Sequence, residues 1–256
     1  MRGSGDGPVS GSRGFTAELV PQEDPEIGRE VIRVRHDDGR VEELHLHDYE
    51  RVYSLPGLYE QIVQERLRCR SPAEIASMLG AAVERVGWHR GDVRVLDLAA
   101  GNGVSGEALA AEGLRSVLGT DIVGAARTAA RRDRPCLYDD YLILDLVALT
   151  SGEERVVRAL GANALACVAP VGNGSQQLPA PALAAAVALL APDALIAYMQ
   201  DPTSGGDDPV TAALWAQRLG EGTRADELER RRYVHRYTVN GSPYEMDGVI
   251  WRVRRA

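Results

Sequence analysis

Apolar and polar positions follow two rhythms along this chain, and the change between them divides it. From Arg29 to His47, Ile32 and Val34, then Leu44 and Leu46, alternate with polar residues around Asp37-Asp38-Gly39. An Asp-Gly pair between alternating runs predicts a β-hairpin. Pro56-Gly57 marks a turn, and residues 58–68 predict a helix with Leu58, Ile62 and Leu67 broadly on one side. Ser71-Pro72-Ala73-Glu74 opens another, with Ser71 as N-cap and Pro72 in the first turn. It carries Ile75, Met78, Leu79, Ala82 and Val83 at helical spacing. Beyond Val93 the rhythm changes to short apolar runs (93–98, 116–120, 138–144, 164–169, 194–199) separated by helical stretches (105–111, 124–132, 180–190). That alternation implies a parallel sheet. Helices over 210–219 and 224–231 precede two β-rich runs, 233–239 and 244–253, which flank Asn240-Gly241 and predict a second hairpin.

The first apolar run of the second part (Val93, Val95, Leu96, Leu98) ends in Ala99-Ala100-Gly101-Asn102-Gly103, and a helix starts at Ser105. Glycines here let the backbone turn tightly and approach a ligand, and the following helix points its positive dipole end at the same place. Two nucleotide-like ligands fit this geometry. Gly101, Gly103 and Gly106 satisfy G-x-G-x-x-G, and Asp121 ends the next apolar run, where a dinucleotide-binding acid would stand. Asp97, however, lies inside the strand four residues before the first glycine. A buried carboxylate there repels a pyrophosphate and suits a cationic ligand such as a sulfonium with an α-amino group.

The stretch VLDLAAGNG, Val95 to Gly103, resembles the first motif of class I S-adenosylmethionine (SAM)-dependent methyltransferases, and the likeness runs from about Val93 to the C-terminus. It is similar in detail to small stand-alone enzymes that methylate small molecules. The resemblance implies an α/β, Rossmann-like seven-stranded sheet whose antiparallel sixth and seventh strands are the C-terminal hairpin, with helices on both faces. Residues 1–14 then read as a disordered leader or tag remnant, 15–90 as an N-terminal hairpin and helical cap, and 91–256 as the SAM-binding core. SAM is the implied cofactor and S-adenosylhomocysteine (SAH) its product. In such a site the glycine loop (Asp97, Ala99, Gly101, Asn102, Gly103) holds the methionine part. Asp121 holds the ribose diol, with Ile122 beside it. Asp145 and Leu146 contact the adenine, with Asp139 and Asp140 as earlier rivals. Ala169 and Val171 end the fourth strand beside the methyl group, and Tyr53 closes over the cofactor from the cap. Nucleic-acid amino methyltransferases carry an acidic residue or Asn, then Pro-Pro and an aromatic, after the fourth strand. Protein arginine methyltransferases carry paired glutamates. Gly172-Asn173-Gly174 followed by Leu178-Pro179 matches neither and resembles the small-molecule group.

Composition narrows the chemistry. All 29 basic residues are Arg, so Schiff-base lysines and the P-loop lysine are excluded. A net charge of −8 disfavours nucleic acid as partner, and the arginines at 127, 131, 132 and 134 read as a solvated helix face. No run reaches membrane-spanning length, and three cysteines without metal-ligand spacing suit a reducing, cytoplasmic setting. Monomer and homodimer are both compatible.

Methyl transfer to a hydroxyl is helped by a general base. Candidates are His45, His47, Tyr49, Tyr53, Asn173 and His235. His45, His47 and Asp48 also suggest a metal site, but no fourth ligand is near, and two exposed histidines on a hairpin is the simpler reading. Metal-dependent catechol methyltransferases need several carboxylates where this chain offers Asp201, so a metal-independent mechanism is expected. O-methylation of a small, secondary metabolite is the leading expectation, with N-methylation, a non-catalytic SAM-binding module and a nicotinamide oxidoreductase behind it.

Overall fold

A computed structural model describes residues 14–21, 27–172, 178–202 and 222–255. The N-terminal part is a three-stranded antiparallel sheet, β1 (Phe15–Leu19), β2 (Val31–His36) and β3 (Val41–His45), followed by α1 (Tyr49–Ser54) and a π-helix, Glu60–Arg66. β2 and β3 form the expected hairpin, with Gly39 at φ +86° in its turn. β1 was not anticipated, because five residues beside a Gly/Ser-rich stretch give little periodic signal. Phe15 and Ala17 face inward with Ile32, Val34 and Leu44, and Val52, Leu58 and Ile62 cover that face.

α2 (Ser71–Arg85) leads into the central sheet. Its strands are β4 (Arg94–Leu98), β5 (Arg115–Asp121), β6 (Asp140–Ile143), β7 (Ala164–Gly172), β9 (Asp193–Gln200), β10 (Arg224–Tyr237) and β11 (Pro243–Arg254), and the two-residue β8 (Leu178–Pro179) pairs with the end of β7. The order is β6-β5-β4-β7-β9-β11-β10. The first five of these are mutually parallel, and β11 inserts antiparallel between β9 and β10. This is the Rossmann-like architecture with a reversed C-terminal hairpin.

Alternation along β4 decides which layer each residue meets. Val93 and Val95 pack with α2 and Leu109 of α3 (Val104–Ala111), while Leu96 and Leu98 pack with the opposite layer, α5 (Ser151–Ala159) and α6 (Ala180–Leu189). Asp97 shares the Val93/Val95 face. α6 is almost wholly Ala, Leu and Val, and Ala182, Leu183, Ala186 and Val187 are buried, which suits a helix that is apolar all round.

Two expectations are corrected. Residues 224–231, expected as a helix, are the first half of β10, paired with 248–254 of β11 across one register shift between Glu227 and Glu229. Sheet pairing overrides propensity there, and the arginines find acids along or across the ladder, as in Arg232–Asp247 at 2.6 Å. Ser71 is the first residue of α2, not its cap: the N-cap is Arg70, with no side-chain capping bond. The Ser71 hydroxyl is engaged by residues of β10 instead. The expected helix over 210–219 lies outside the described residues.

Candidate active site

The β4–α3 turn is strained in the way a ligand loop is. Ala99, Gly101 and Gly103 take φ of +54°, +54° and +91°. For Ala99 that left-handed conformation costs about 1–2 kcal/mol. Asp121, at the end of β5, ties the turn down. Its Oδ2 accepts the Gly101 N–H at 2.9 Å and its Oδ1 the Val123 N–H at 2.9 Å. The Gly103 N–H donates to Ala100 O. Burial raises the Asp121 pKa against these hydrogen bonds, which favour its charged form.

Asp97 is fully buried, and its Oδ2 accepts from the Ser105 and Tyr138 hydroxyls, both at 2.8 Å. Desolvation dominates and pushes its carboxyl up to about 7. Near neutral pH it is therefore only partly ionised, so its pull on a cation is weaker than the strand position alone implies. Its Oδ1 is buried without a partner among the described residues.

The turn is covered by the chain's own aromatic side chains. Gly101, Asn102 and Gly103 are buried. A methyl group on Gly101 would collide with the Tyr53 hydroxyl, and one on Gly106 or Gly119 with Tyr138 or Tyr141. The Tyr141 hydroxyl donates to Gly101 O at 2.6 Å. From the cap, Tyr49 stacks on Tyr53 (5.4 Å, 17°), and Tyr59 lies 5.4 Å from Tyr53 with its ring tilted by 49°. The cap is latched by Glu50, which accepts the Gly124 and Ala125 N–H groups at the start of α4 (Gly124–Asp133), and by Arg132, which donates to Tyr53 O. Glu60 Oε1 accepts from Asn102 Nδ2 at 2.7 Å and from Arg134 at 2.9 Å. Tyr138, Tyr141 and Glu60 were missed in the sequence because only tertiary packing brings them to the turn.

The remaining candidates divide. Ile122 is 67% exposed beside Asp121. Asp145 follows β6 at the same edge, exposed, with Oδ1 accepting the Val147 N–H, and Leu146 is buried. Asp139 is instead paired with Arg115, and Asp140 opens β6. Ala169 lies half-buried near the end of β7, and Val171 pairs through its backbone with Leu178. Asn173 lies outside the described residues.

His45 is exposed on the small sheet, opposite Val31, and is not brought to the turn. His47 Nδ1 lies 3.1 Å from Gly28 O and its ring meets Tyr49 edge-on at 5.5 Å. A carbonyl only accepts, so Nδ1 carries the proton and Nε2 keeps its lone pair. Desolvation lowers the His47 pKa, so this ring is neutral. His235 is held differently. The Tyr233 hydroxyl donates to Ser71 Oγ, which lies 2.6 Å from His235 Nδ1, and Cys69 Sγ lies 3.8 Å from the same nitrogen. Burial, then Arg236, pushes this imidazole down to about 3. A ring held that far below neutral is a poor proton acceptor. Burial pushes Tyr49 up to about 12 and raises Tyr53 well above its ordinary value, so both keep their protons and neither serves as a base.

No protein-family model and no curated protein matches the chain in sequence. Solved structures do. A proposed RNA methyltransferase from Pyrococcus horikoshii is similar over 73% of this chain and 85% of its own, at 14% identity and a TM-score of 0.50. Magnesium protoporphyrin IX methyltransferase from Synechocystis PCC 6803, with SAM bound, is similar over 72% of this chain and 80% of its own (14% identity, TM-score 0.46). Streptomyces venezuelae DesVI matches over 82% and 99% (15% identity, TM-score 0.47). The first likeness shows the fold, which is the Rossmann-like fold of methyltransferases. The other two are weaker, and nothing below rests on them.

Proposed function

We propose that this chain is a SAM-dependent methyltransferase with a small-molecule acceptor, acting without a metal. The observation that carries the reading is the Asp121 carboxylate on the glycine turn. With the Gly101 N–H donated to Asp121 and the Gly103 N–H to Ala100 O, two donors that a pyrophosphate would need are already taken. The acid at the strand end remains a diol acceptor, and exposed Ile122 beside it offers an apolar face for a base. The residues fit SAM chemically: Asp121 for the ribose, Ile122, Asp145 and Leu146 for the adenine, and the Ala99–Gly103 turn for the amino-acid end.

When bound, SAM supplies an activated methyl group on a positively charged sulfur. The chain's own work is then alignment and exclusion of water, which is worth about 7–11 kcal/mol in well-positioned reactions. The cap tyrosines provide that cover. For a hydroxyl acceptor, His47 Nε2 would take up the acceptor's proton, which favours O-methylation. The net charge of −8 and the pairing of Arg132 and Arg134 with neighbouring acids speak against a nucleic-acid acceptor. A cytoplasmic enzyme, monomeric or homodimeric, suits this reading. Among the described residues no helix is long and apolar enough to cross a membrane.

A second reading is favoured by the aromatic cover itself: a SAM-binding module in which Tyr53, Tyr138 and Tyr141 seal the turn and no methyl transfer follows. Calorimetry with SAH and NAD tests the cofactor. The expected result is micromolar SAH binding that Asp121→Ala weakens at least about tenfold, as loss of charge-assisted hydrogen bonds does. NAD binding with no SAH binding overturns the proposal. An acceptor screen for methyl turnover separates enzyme from module.

A further inference from the structure

Two carboxyl groups beside the glycine turn each leave one buried oxygen without a partner among the described residues, Asp97 Oδ1 and Glu60 Oε2. Their surroundings differ. Asp97 is fully buried within the sheet layer, behind the Ser105 and Tyr138 hydroxyls. Glu60 stands on the cap side. It opens the π-helix, an expanded winding rare in proteins and frequent at functional sites. Through Oε1 it accepts from the Asn102 side chain, inside the glycine turn, and pairs with Arg134. Arg134 also donates to Asn102 O at 3.1 Å and to Glu107 at 2.8 Å, so the Glu60 carboxylate is oriented from two directions. One oxygen is thus fixed on the turn, and the other is buried beside it and unused.

We infer that Glu60 Oε2 receives the α-ammonium group of the cofactor's amino-acid end, making Glu60 the residue that binds that end from the cap. The inference rests on the SAM reading. An ammonium supplies three donors and a full positive charge, which is what a buried carboxylate oxygen lacking partners needs. Asn102 and Arg134 hold the side chain in place beforehand, so little rotamer freedom is lost on binding. The acid that recognises the cationic end is then supplied by the N-terminal cap, and docking of the cap is coupled to loading of the turn.

The test is calorimetry on the full chain with two ligands: SAH, which carries the amino-acid end, and 5′-methylthioadenosine, which lacks it. Glu60→Gln keeps a carbonyl oxygen for Asn102 and Arg134 while removing the charge. The expected result is SAH affinity lowered by between about 10-fold and 100-fold, the size of one lost charge-assisted hydrogen bond, with 5′-methylthioadenosine affinity unchanged. Both ligands are read on one preparation, so partial unfolding lowers both stoichiometries alike and leaves the affinity ratio intact. An equal loss for both ligands assigns Glu60 to holding the cap and overturns the inference, as does an unchanged SAH affinity. Binding of neither ligand to the wild-type chain removes the cofactor reading itself, and the inference with it.

Discussion

Asp97→Asn is the substitution whose outcome the structure fixes most closely. The carboxyl is buried among apolar residues, desolvation outweighs its two hydroxyl donors, and it is held at about 7 against 3.8 for a free aspartate. Each pKa unit is worth about 1.4 kcal/mol, so keeping Asp97 ionised in the native state costs about 4 kcal/mol. The sign follows from proton counting. Between about pH 4 and 7 the native carboxyl retains a proton that the unfolded chain has lost, so this group makes stability fall as pH rises through that window. Above pH 7 both states are ionised and the contribution levels off at its full unfavourable value. Asparagine is nearly isosteric, still accepts from Ser105 and Tyr138, and does not titrate; its amide N–H group takes the unpartnered Oδ1 place, a cost that does not vary with pH. Urea unfolding of both proteins from pH 4.5 to 8.5 is the assay, and groups not coupled to Asp97 cancel in the difference. The Asp97→Asn protein is expected to gain on the wild type by about 1.4 kcal/mol per pH unit up to pH 7, a change of about 3 kcal/mol in the stability difference between pH 4.5 and 8. A difference that is flat between pH 5 and 7 shows that Asp97 is charged throughout in the folded protein, and refutes the argument from burial.

Two further predictions concern the cover over the turn and the cap's attachment. Gly101→Ala combines a φ of +54° with a collision against the Tyr53 hydroxyl, and is expected to cost about 1–3 kcal/mol in urea unfolding. Adding Tyr53→Phe removes the colliding atom and recovers part of that loss, whereas strict additivity would show that the hydroxyl does not touch the turn. Glu30 and Arg236 form an ion pair at 2.6 Å with side chains 1% and 5% exposed, joining the N-terminal part to β10. Glu30→Gln leaves a buried guanidinium without its countercharge and is expected to destabilise by about 3–5 kcal/mol, and a loss below about 1 kcal/mol contradicts the burial of the pair.

What the sequence made legible is what depends on neighbours along the chain. The strand-turn-helix at Asp97–Gly103, the parallel alternation and the reversed hairpin each rest on a run of ten or so residues whose period or turn chemistry is local. β10 shows the limit of such reading. Its first half has the composition of a solvated helix, and only pairing with β11 makes it a strand. The site divides in the same way. Asp121 and Ile122 were visible because a strand end fixes where they lie. Tyr138, Tyr141 and Glu60 carry no local mark, since their contacts with Gly101, Asp97 and Asn102 span 40 or more residues. His47 was a candidate by its place near the expected rim, and His235 only if its strand turned it that way. Their chemistry is set by distant partners, Gly28 O for the tautomer of His47, and burial beside Ser71 and Arg236 for the low basicity of His235.

If the turn binds SAM as proposed, the aromatic cover makes loading an exchange of side-chain contacts for ligand contacts. On the proposed reading, a ligand on the turn replaces Tyr53 over Gly101 and competes with the Tyr141–Gly101 and Tyr138–Asp97 hydrogen bonds. Two such bonds are worth about 2 kcal/mol net, or roughly 30-fold in apparent affinity, before the burial of the Tyr53 ring is counted. The backbone of α1 does not have to follow its side chain. Glu50 holds α1 to the first N–H groups of α4, and Arg132 holds the Tyr53 carbonyl, and neither contact involves the turn. Uncovering Gly101 therefore requires the Tyr53 ring to give up its contacts with Tyr49 and Tyr59, but not the opening of these latches. The covered and uncovered states then differ by a few side-chain contacts, so a ligand worth only several kcal/mol on the turn can shift the balance between them.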